Sequence, residues 1–369
     1  MLSDDLRDWL LAQAESLDAD ASASPQVLPR LAQAGLLGSG VPRELGGQGG
    51  TTADGVEAIA SVAEHSLSAA FAFWGQRAFI QYLVQSCNTA LRDALLPGLL
   101  AGSQAGATGL SNAMKFLSGI ESLNIQATAR EKTSSWTLNG IVPWCTNLRP
   151  KGFVVAVAVE RMDGGPPMIA ALPSSRAGVS RSDDLDLIAL RGSYTASLRI
   201  DNSLLEEADL IAADAREFLP RARPAFAGLQ CGMSIGLARA ALGRVSATGG
   251  SGRAVLSEPL AGLQDRLSAT SAALYEGLLD DRFTTQPHEL FSLRLALNDI
   301  VQQAVQLEVQ AAGGRGYHRE PASGVARRWR EAAFIPIVTP SVTQLQGELA
   351  KRAALLASQG RPAVGAGAA

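Results

Sequence analysis

Two short stretches carry residue types suited to a planar or anionic ligand. The first is Gln310-Ala-Ala-Gly-Gly-Arg-Gly-Tyr317, which closes a long apolar run. Gly313, Gly314 and Gly316 let the backbone approach a ligand closely and leave N–H groups free to face an anion. The same glycines also suit a helix stop followed by a turn, and the residues alone leave both readings open. No Gly-Lys-Ser/Thr follows, and the run does not sit between a strand and a helix, so neither a Walker loop nor a dinucleotide fingerprint is present. The second stretch is Pro143-Trp-Cys-Thr-Asn147. An aromatic and a hydroxyl two residues apart on a strand share a face, so Trp144 would stack on a planar ligand while Thr146 hydrogen-bonds its rim. A core tryptophan beside a solvated threonine is the plainer alternative.

The other familiar catalytic sets are thin. The histidines are His65, His288 and His318, with no H-x-x-x-H or H-E-x-x-H spacing for a metal. No Gly-x-Ser-x-Gly elbow marks a serine nucleophile. His318 adjoins the glycine loop and reads most simply as a solvated imidazole. Asp183, Asp184 and Asp186 read as a solvated acidic turn. Arg327, Arg328 and Arg330 form the densest basic run, too short for a tail and suited to a helix face or an anion contact. With a net charge of −3 and no basic patch, a nucleic-acid partner is not expected. Cys87, Cys145 and Cys231 match no zinc or redox spacing and read as reduced thiols of a cytoplasmic protein. Asp4, Asp5, Arg7 and Asp8 interrupt any leader, and no stretch reaches the about 18 uncharged apolar residues of a membrane span.

These stretches need elements to position them. Among 369 residues, 47% are hydrophobic and 18% charged, which is globular with a slight apolar bias. Residues 1–107 read as a helical domain: Leu6, Trp9, Leu10 and Ala14 share a helix face after Ser3 as N-cap, and 52–84 and 89–101 are Ala/Leu-rich. From 108 to 212 the period changes to alternation, and several short strands separated by turn signals suggest a small β-barrel or sandwich. Within it, Ser135–Gly140 reads as a strand running into an Asn-Gly turn. From 213 to 358 the helical period returns, with helices expected over 225–247, 257–280, 287–312 and 341–357 as a four-helix bundle. A Gly/Ala/Pro-rich tail occupies 359–369. The expected class is a multi-domain α+β protein.

This order of domains, together with the motifs, resembles the acyl-CoA dehydrogenase family from about residue 5 to 357. Gly35-Leu-Leu-Gly-Ser-Gly-Val-Pro-Arg-Glu-Leu-Gly-Gly-Gln-Gly49 looks like its N-terminal loop. Trp136–Gly140, Trp144–Asn147, Leu190–Ala196 and Gln310–Tyr317 look like its mid-domain strand, its flavin-facing strand, the segment before the last strand and the bundle loop. The resemblance implies FAD, an acyl-CoA or related substrate, and a homodimer or homotetramer. It also implies an electron-transfer flavoprotein or a flavin reductase as redox partner. It assigns Trp144 to the isoalloxazine, Thr146 to the ring edge near N5 and Thr108 to the pyrimidine side. Arg253, Gln310, Gly313 and Gly314 are assigned to the pyrophosphate and adenosine across a subunit interface, and Thr343 and Gln344 to closure over the cofactor.

The family reaction removes an α-proton with a glutamate while the flavin accepts hydride from the β-carbon. The position matching that glutamate falls on Thr339 or Pro340, and the alternative position on the first bundle helix falls on Phe226 or Ala227. None of these is acidic. The family's Thr-Glu-Pro reads Thr108-Gly-Leu-Ser111, and the Phe-Gly after Arg253 reads Leu256-Ser257. The resemblance therefore implies a FAD-dependent oxidoreductase of acyl-CoA dehydrogenase type without the usual glutamate base. Two alternatives are a flavin-dependent monooxygenase or oxidase on the same scaffold, and a non-catalytic flavin- or acyl-CoA-binding subunit.

Overall fold

The computed structural model describes residues 2–131, 133–248, 254–318 and 324–359. The N-terminal domain is helical: α1 (Asp4–Ala19), α2 (Val27–Gln33), α3 (Thr52–Ala63), α4 (Leu67–Gln85) and α5 (Thr89–Leu100). Ser3 caps α1 through its hydroxyl, and Leu6, Leu10, Ala14 and Leu17 form the buried stripe. Thr51 and Asp54 form a capping box on α3. Every residue of α4 from Leu67 to Leu83 is buried, so this helix is the axis of the domain rather than one of its faces.

The middle domain holds β1 (Ala105–Thr108), α6 (Ser111–Leu117), β2 (Ile125–Ala129), β3 (Ser135–Cys145), β4 (Phe153–Arg161), β5 (Met168–Pro173), β6 (Val179–Arg181), β7 (Ala196–Glu206) and β8 (Leu210–Ala212). The strands pair as one eight-stranded sheet in the order β6-β7-β3-β2-β4-β5-β8, with β1 on β4. β4 is shared: its first half pairs parallel with β1 and its end with β2. Among the described residues the strand order ends on β6 and β8. The sheet begins at Ala105, just before the expected boundary at 108.

One local expectation is corrected here. Asn139-Gly140 is not a turn, because β3 runs straight through it to Cys145 with a register shift between Leu138 and Gly140. A Cβ at Gly140 would lie 2.4 Å from the Asn124 carbonyl oxygen, so glycine is needed for strand approach at a bulge rather than for chain reversal.

The C-terminal domain contains α7 (Ala215–Ala247), α8 (Ser257–Leu279), α9 (Arg282–Thr285), α10 (Pro287–Ala312), α11 (Val325–Ala332) and α12 (Val342–Gln359). α7 starts at Ala215 rather than 225 and passes through Pro220 and Pro224. It crosses α3 at backbone contact: a Cβ at Gly236 would lie 2.1 Å from Ala60 O, and one at Gly232 would lie 2.5 Å from Val56 O. α7 has the length and hydropathy of a membrane-crossing helix, but its apolar window is 94% buried, as a core helix is. α11 latches the bundle to the first domain. Arg327 pairs with Glu331 at 2.7 Å, Glu331 accepts from the Leu67 N–H at 3.2 Å, and Arg330 pairs with Asp18 at 2.6 Å. Arg328 pairs with the equally buried Glu308. The basic run is therefore a helix face matched by acids. Of the expected tail, residues 360–369 lie outside the described residues.

Candidate functional site

The end of β3 carries the first group of residues. A second register shift lies between Val142 and Cys145, and the strand stops before Thr146. The side chains therefore part: Trp144 is 58% exposed, whereas Thr146 is 4% exposed. The expectation that they share a face does not hold, because alternation ends with the strand. The Thr146 hydroxyl donates to Ser193 O at 3.2 Å, and its methyl faces Gly75 of α4. Asn147 follows in the left-handed region, φ 60°.

Gln76 of α4 fastens this corner. Its Nε2 donates to Leu99 O and Gln104 O at 2.9 and 3.0 Å. Its Oε1 accepts from the Gly106 N–H at 2.6 Å and from Asn147 Nδ2 at 3.0 Å. Asn147 Nδ2 also donates to Gly106 O at 2.9 Å. A single buried amide thus joins α4, the exit of α5, β1 and the end of β3. Thr108 sits nearby but turns inward, its hydroxyl 2.9 Å from that of Tyr82. Burial pushes the Tyr82 phenol and the Cys145 thiol far above their ordinary ranges, so both stay protonated.

The two segments in which the resemblance expects a carboxylate are joined by one hydrogen bond. Gln230, one turn after Phe226 on α7, donates to Thr339 O at 2.7 Å. Phe226 itself belongs to an aromatic cluster. The Phe226 ring is 5.3 Å from that of Trp74, and the Trp74 indole N–H donates to Phe226 O at 3.2 Å. Phe71 stacks on Trp74 at 5.7 Å and meets Phe334 at 4.5 Å. No acid stands at either position. Glu331, one turn before Phe334, is engaged with Arg327 and with the start of α4.

The remaining expected residues lie on the bundle. Gln310 is exposed at the end of α10 and lines an open cavity of about 830 Å³ with Arg266, Gln303, Gln306 and Trp329. Gly313 has φ 60°, and a Cβ on Gly313 or Gly314 would meet nothing within 4 Å, so open space adjoins this backbone. Thr343 is exposed at the start of α12, while Gln344 Oε1 is buried with no hydrogen-bond partner among the described residues. Lys351 of α12 reaches Ser118 O beside α6 at 3.4 Å, which ties this helix to the sheet domain. Arg253 lies outside the described residues.

These features fit a flavin in part. The exposed Trp144 offers a stacking face, the two glycines offer open backbone, and Gln344 offers an unused acceptor. Thr108 and Thr146 have committed their hydroxyls elsewhere, so any contact from them runs through the backbone or needs a rotated hydroxyl. Gln76 and Gln230 escaped the sequence reading. The signal was slight: Gln230 is the one amide in α7, and Gln76 is one of three in α4.

A helical domain, a mixed sheet and a helical bundle joined in this way define the acyl-CoA dehydrogenase fold. Residues 1–103 match the family described as "Acyl-CoA dehydrogenase, N-terminal domain". A probable acyl-CoA dehydrogenase of Bacillus subtilis (strain 168) is 24% identical over 91% of this chain and 92% of its own. The glutaryl-coenzyme A dehydrogenase–glutaryl-CoA complex superposes with a TM-score of 0.79 at 17% identity, covering 94% of each chain. KijD3, in a complex with FMN and an amino-sugar nucleotide, gives 0.78 at 19% identity over 94% of this chain and 90% of its own. The chain thus has the acyl-CoA dehydrogenase fold, matches that family's N-terminal domain over residues 1–103, and is similar to a probable acyl-CoA dehydrogenase along nearly its whole length.

Proposed function

We propose that this protein is a FAD-dependent oxidoreductase whose reaction does not begin with carboxylate abstraction of an α-proton, and that it works as a flavin-dependent monooxygenase or oxidase. One observation carries this reading. Neither Phe226 nor Thr339, the two places where a base would stand, is acidic: Phe226 packs in a cluster of four aromatic rings, and Gln230, one turn further on, is bonded to Thr339 O. An α-proton of a thioester is too weakly acidic to leave without a placed base. Bound FAD would supply redox chemistry, and reaction of its reduced form with oxygen needs no such base.

The chain's own residues have plain tasks in this reading. Trp144 stacks against the ring system. Gln310, Arg253 and the N–H groups at Gly313 and Gly314 hold the pyrophosphate and adenosine side of a neighbouring subunit's cofactor, which requires a homo-oligomer. Gln344 supplies an acceptor and Thr343 a hydroxyl at the start of α12. Backbone groups at Thr108 and Thr146 line the ring edge. The aromatic cluster keeps water from the reacting face. A flavin reductase is the matching redox partner. The KijD3 complex supports the reading at the level of the fold, because it pairs a flavin with a ligand that is not an acyl-CoA.

Acyl-CoA oxidation is the second reading, favoured by the match with the Bacillus protein along nearly the whole chain. Anaerobic mixing of the FAD-loaded protein with short-, medium- and long-chain acyl-CoAs separates the two. The flavin absorbance should persist with every one of them, and oxygen uptake should appear when a flavin reductase and NADH are supplied. Bleaching by any acyl-CoA would overturn the proposal in favour of the dehydrogenase.

A further inference from the structure

Arg77, in the middle of α4, is by volume the foremost of the fully buried side chains, at 0% exposure. None of its Nε, Nη1 and Nη2 atoms has a hydrogen-bond partner among the described residues. Three elements enclose it: its own helix, the first turn of α3 and α7. A Cβ built on Gly55 would lie 3.4 Å from Arg77 Nη2, 3.0 Å from Leu229 Cδ2 and 3.5 Å from Ser39 O. Glycine at position 55 therefore leaves the room that the guanidinium edge occupies.

No charge compensates this group. Burial alone lowers its pKa to about 10, with no acid acting on it, so it remains a cation at neutral pH. The first turn of α3 presents the positive end of that helix to the same region. Asp54, the acid of that turn, is exposed, and its Oδ2 accepts from the Thr51 N–H and hydroxyl at 2.7 and 3.0 Å. A buried guanidinium with five donors and no counter-charge is strongly disfavoured. Water would satisfy donors but not charge. An anion does both.

We propose that the junction of α3, α4 and α7 is a buried binding position for a small monoanion, a halide or a carboxylate group, held by Arg77. The position is one helical turn from the aromatic cluster on two helices at once: Arg77 follows Trp74 on α4, and Leu229 follows Phe226 on α7. An anion here ties together the three helices that form the wall behind the candidate site. It is separate from the residues assigned to the cofactor and does not depend on them.

Thermal unfolding of the full-length chain tests this. The protein is held in potassium gluconate, a bulky anion, and titrated with potassium chloride or potassium formate at constant ionic strength. The Tm should rise saturably, by about 5 °C at a large excess over Kd. A rise with chloride alone assigns a halide position, and a rise with formate as well assigns a carboxylate-sized one. Arg77→Met, which removes the buried charge, should unfold at a temperature indifferent to either salt. Should that variant fail to fold, Arg77→Lys should still respond, with a midpoint shifted upward at least roughly tenfold for the loss of the planar donor fork. Equal Tm in all three salts, or an undiminished response in the Arg77 variants, would overturn the proposal.

Discussion

The arginines of α11 and the arginine of α4 are buried in the same molecule under opposite terms. Arg327 and Arg328 are 5% and 6% exposed, and each faces a carboxylate that is itself buried, Glu331 and Glu308. Arg330 is half-open to solvent and still holds the buried Asp18. Arg77 is more deeply buried than any of these and has no acid acting on it among the described residues. The contrast separates two uses of a buried charge. On α11 the charges join α1, α4 and α10 into one frame, and the partner is encoded in the chain. On α4 the partner must come from outside.

Removing partners is the way to probe that difference. The largest effect should come from Glu331→Ala, which leaves the buried Arg327 paired with Glu15 alone and uncaps the Leu67 N–H at the start of α4. Urea unfolding should show a loss of about 3–5 kcal/mol, the cost of breaking a buried pair from one side. Asp18→Ala should cost less, about 1–3 kcal/mol. It removes the acceptor for Arg330 and for the Leu190 N–H at 2.9 Å, but Arg330 can turn to water. Asp4→Ala, which breaks an exposed pair with Arg7 at 3.1 Å, should change stability by less than about 0.5 kcal/mol, and less still in high salt. If Glu331→Ala proved as mild as Asp4→Ala, the α11 charges would not be the frame described above, and the contrast with Arg77 would lose its meaning.

Much of the architecture was legible because it rests on periodicity. The helices at 52–84 and 89–101 and the bundle helices follow from apolar spacing, and the structure divides the first of these only at Ser66, the N-cap of α4. Legibility failed where one residue type serves two geometries. Asn139-Gly140 suits a hairpin and also suits a bulge, and only the carbonyl of Asn124 pressing on Gly140 decides between them. Pro220 and Pro224 hid the start of α7, because proline inside a helix removes a backbone hydrogen bond, yet the helix runs through both. The absence of an acid at Thr339 and Phe226 was readable directly, but the hydrogen bond from Gln230 to Thr339 O was not, because it joins segments far apart in the chain. Trp144 and Thr146 would share a face only if the strand continued, and it stops at Cys145. Arg77 gave no signal beyond a single charge in an apolar run.

Gln76 has a consequence for how this chain can vary. Its amide offers two donors on one side and an acceptor on the other, and all are used, by two carbonyls, a backbone N–H and the Asn147 amide. Glutamate has the same outline but only acceptors, so it would set a carboxylate against Leu99 O and Gln104 O; leucine would strand every one of these groups. Position 147 is bound to position 76 in the same way. Changes at either should therefore be accepted only in company with the other, and the segment that presents Trp144 cannot be redesigned without rewriting the helix beneath it.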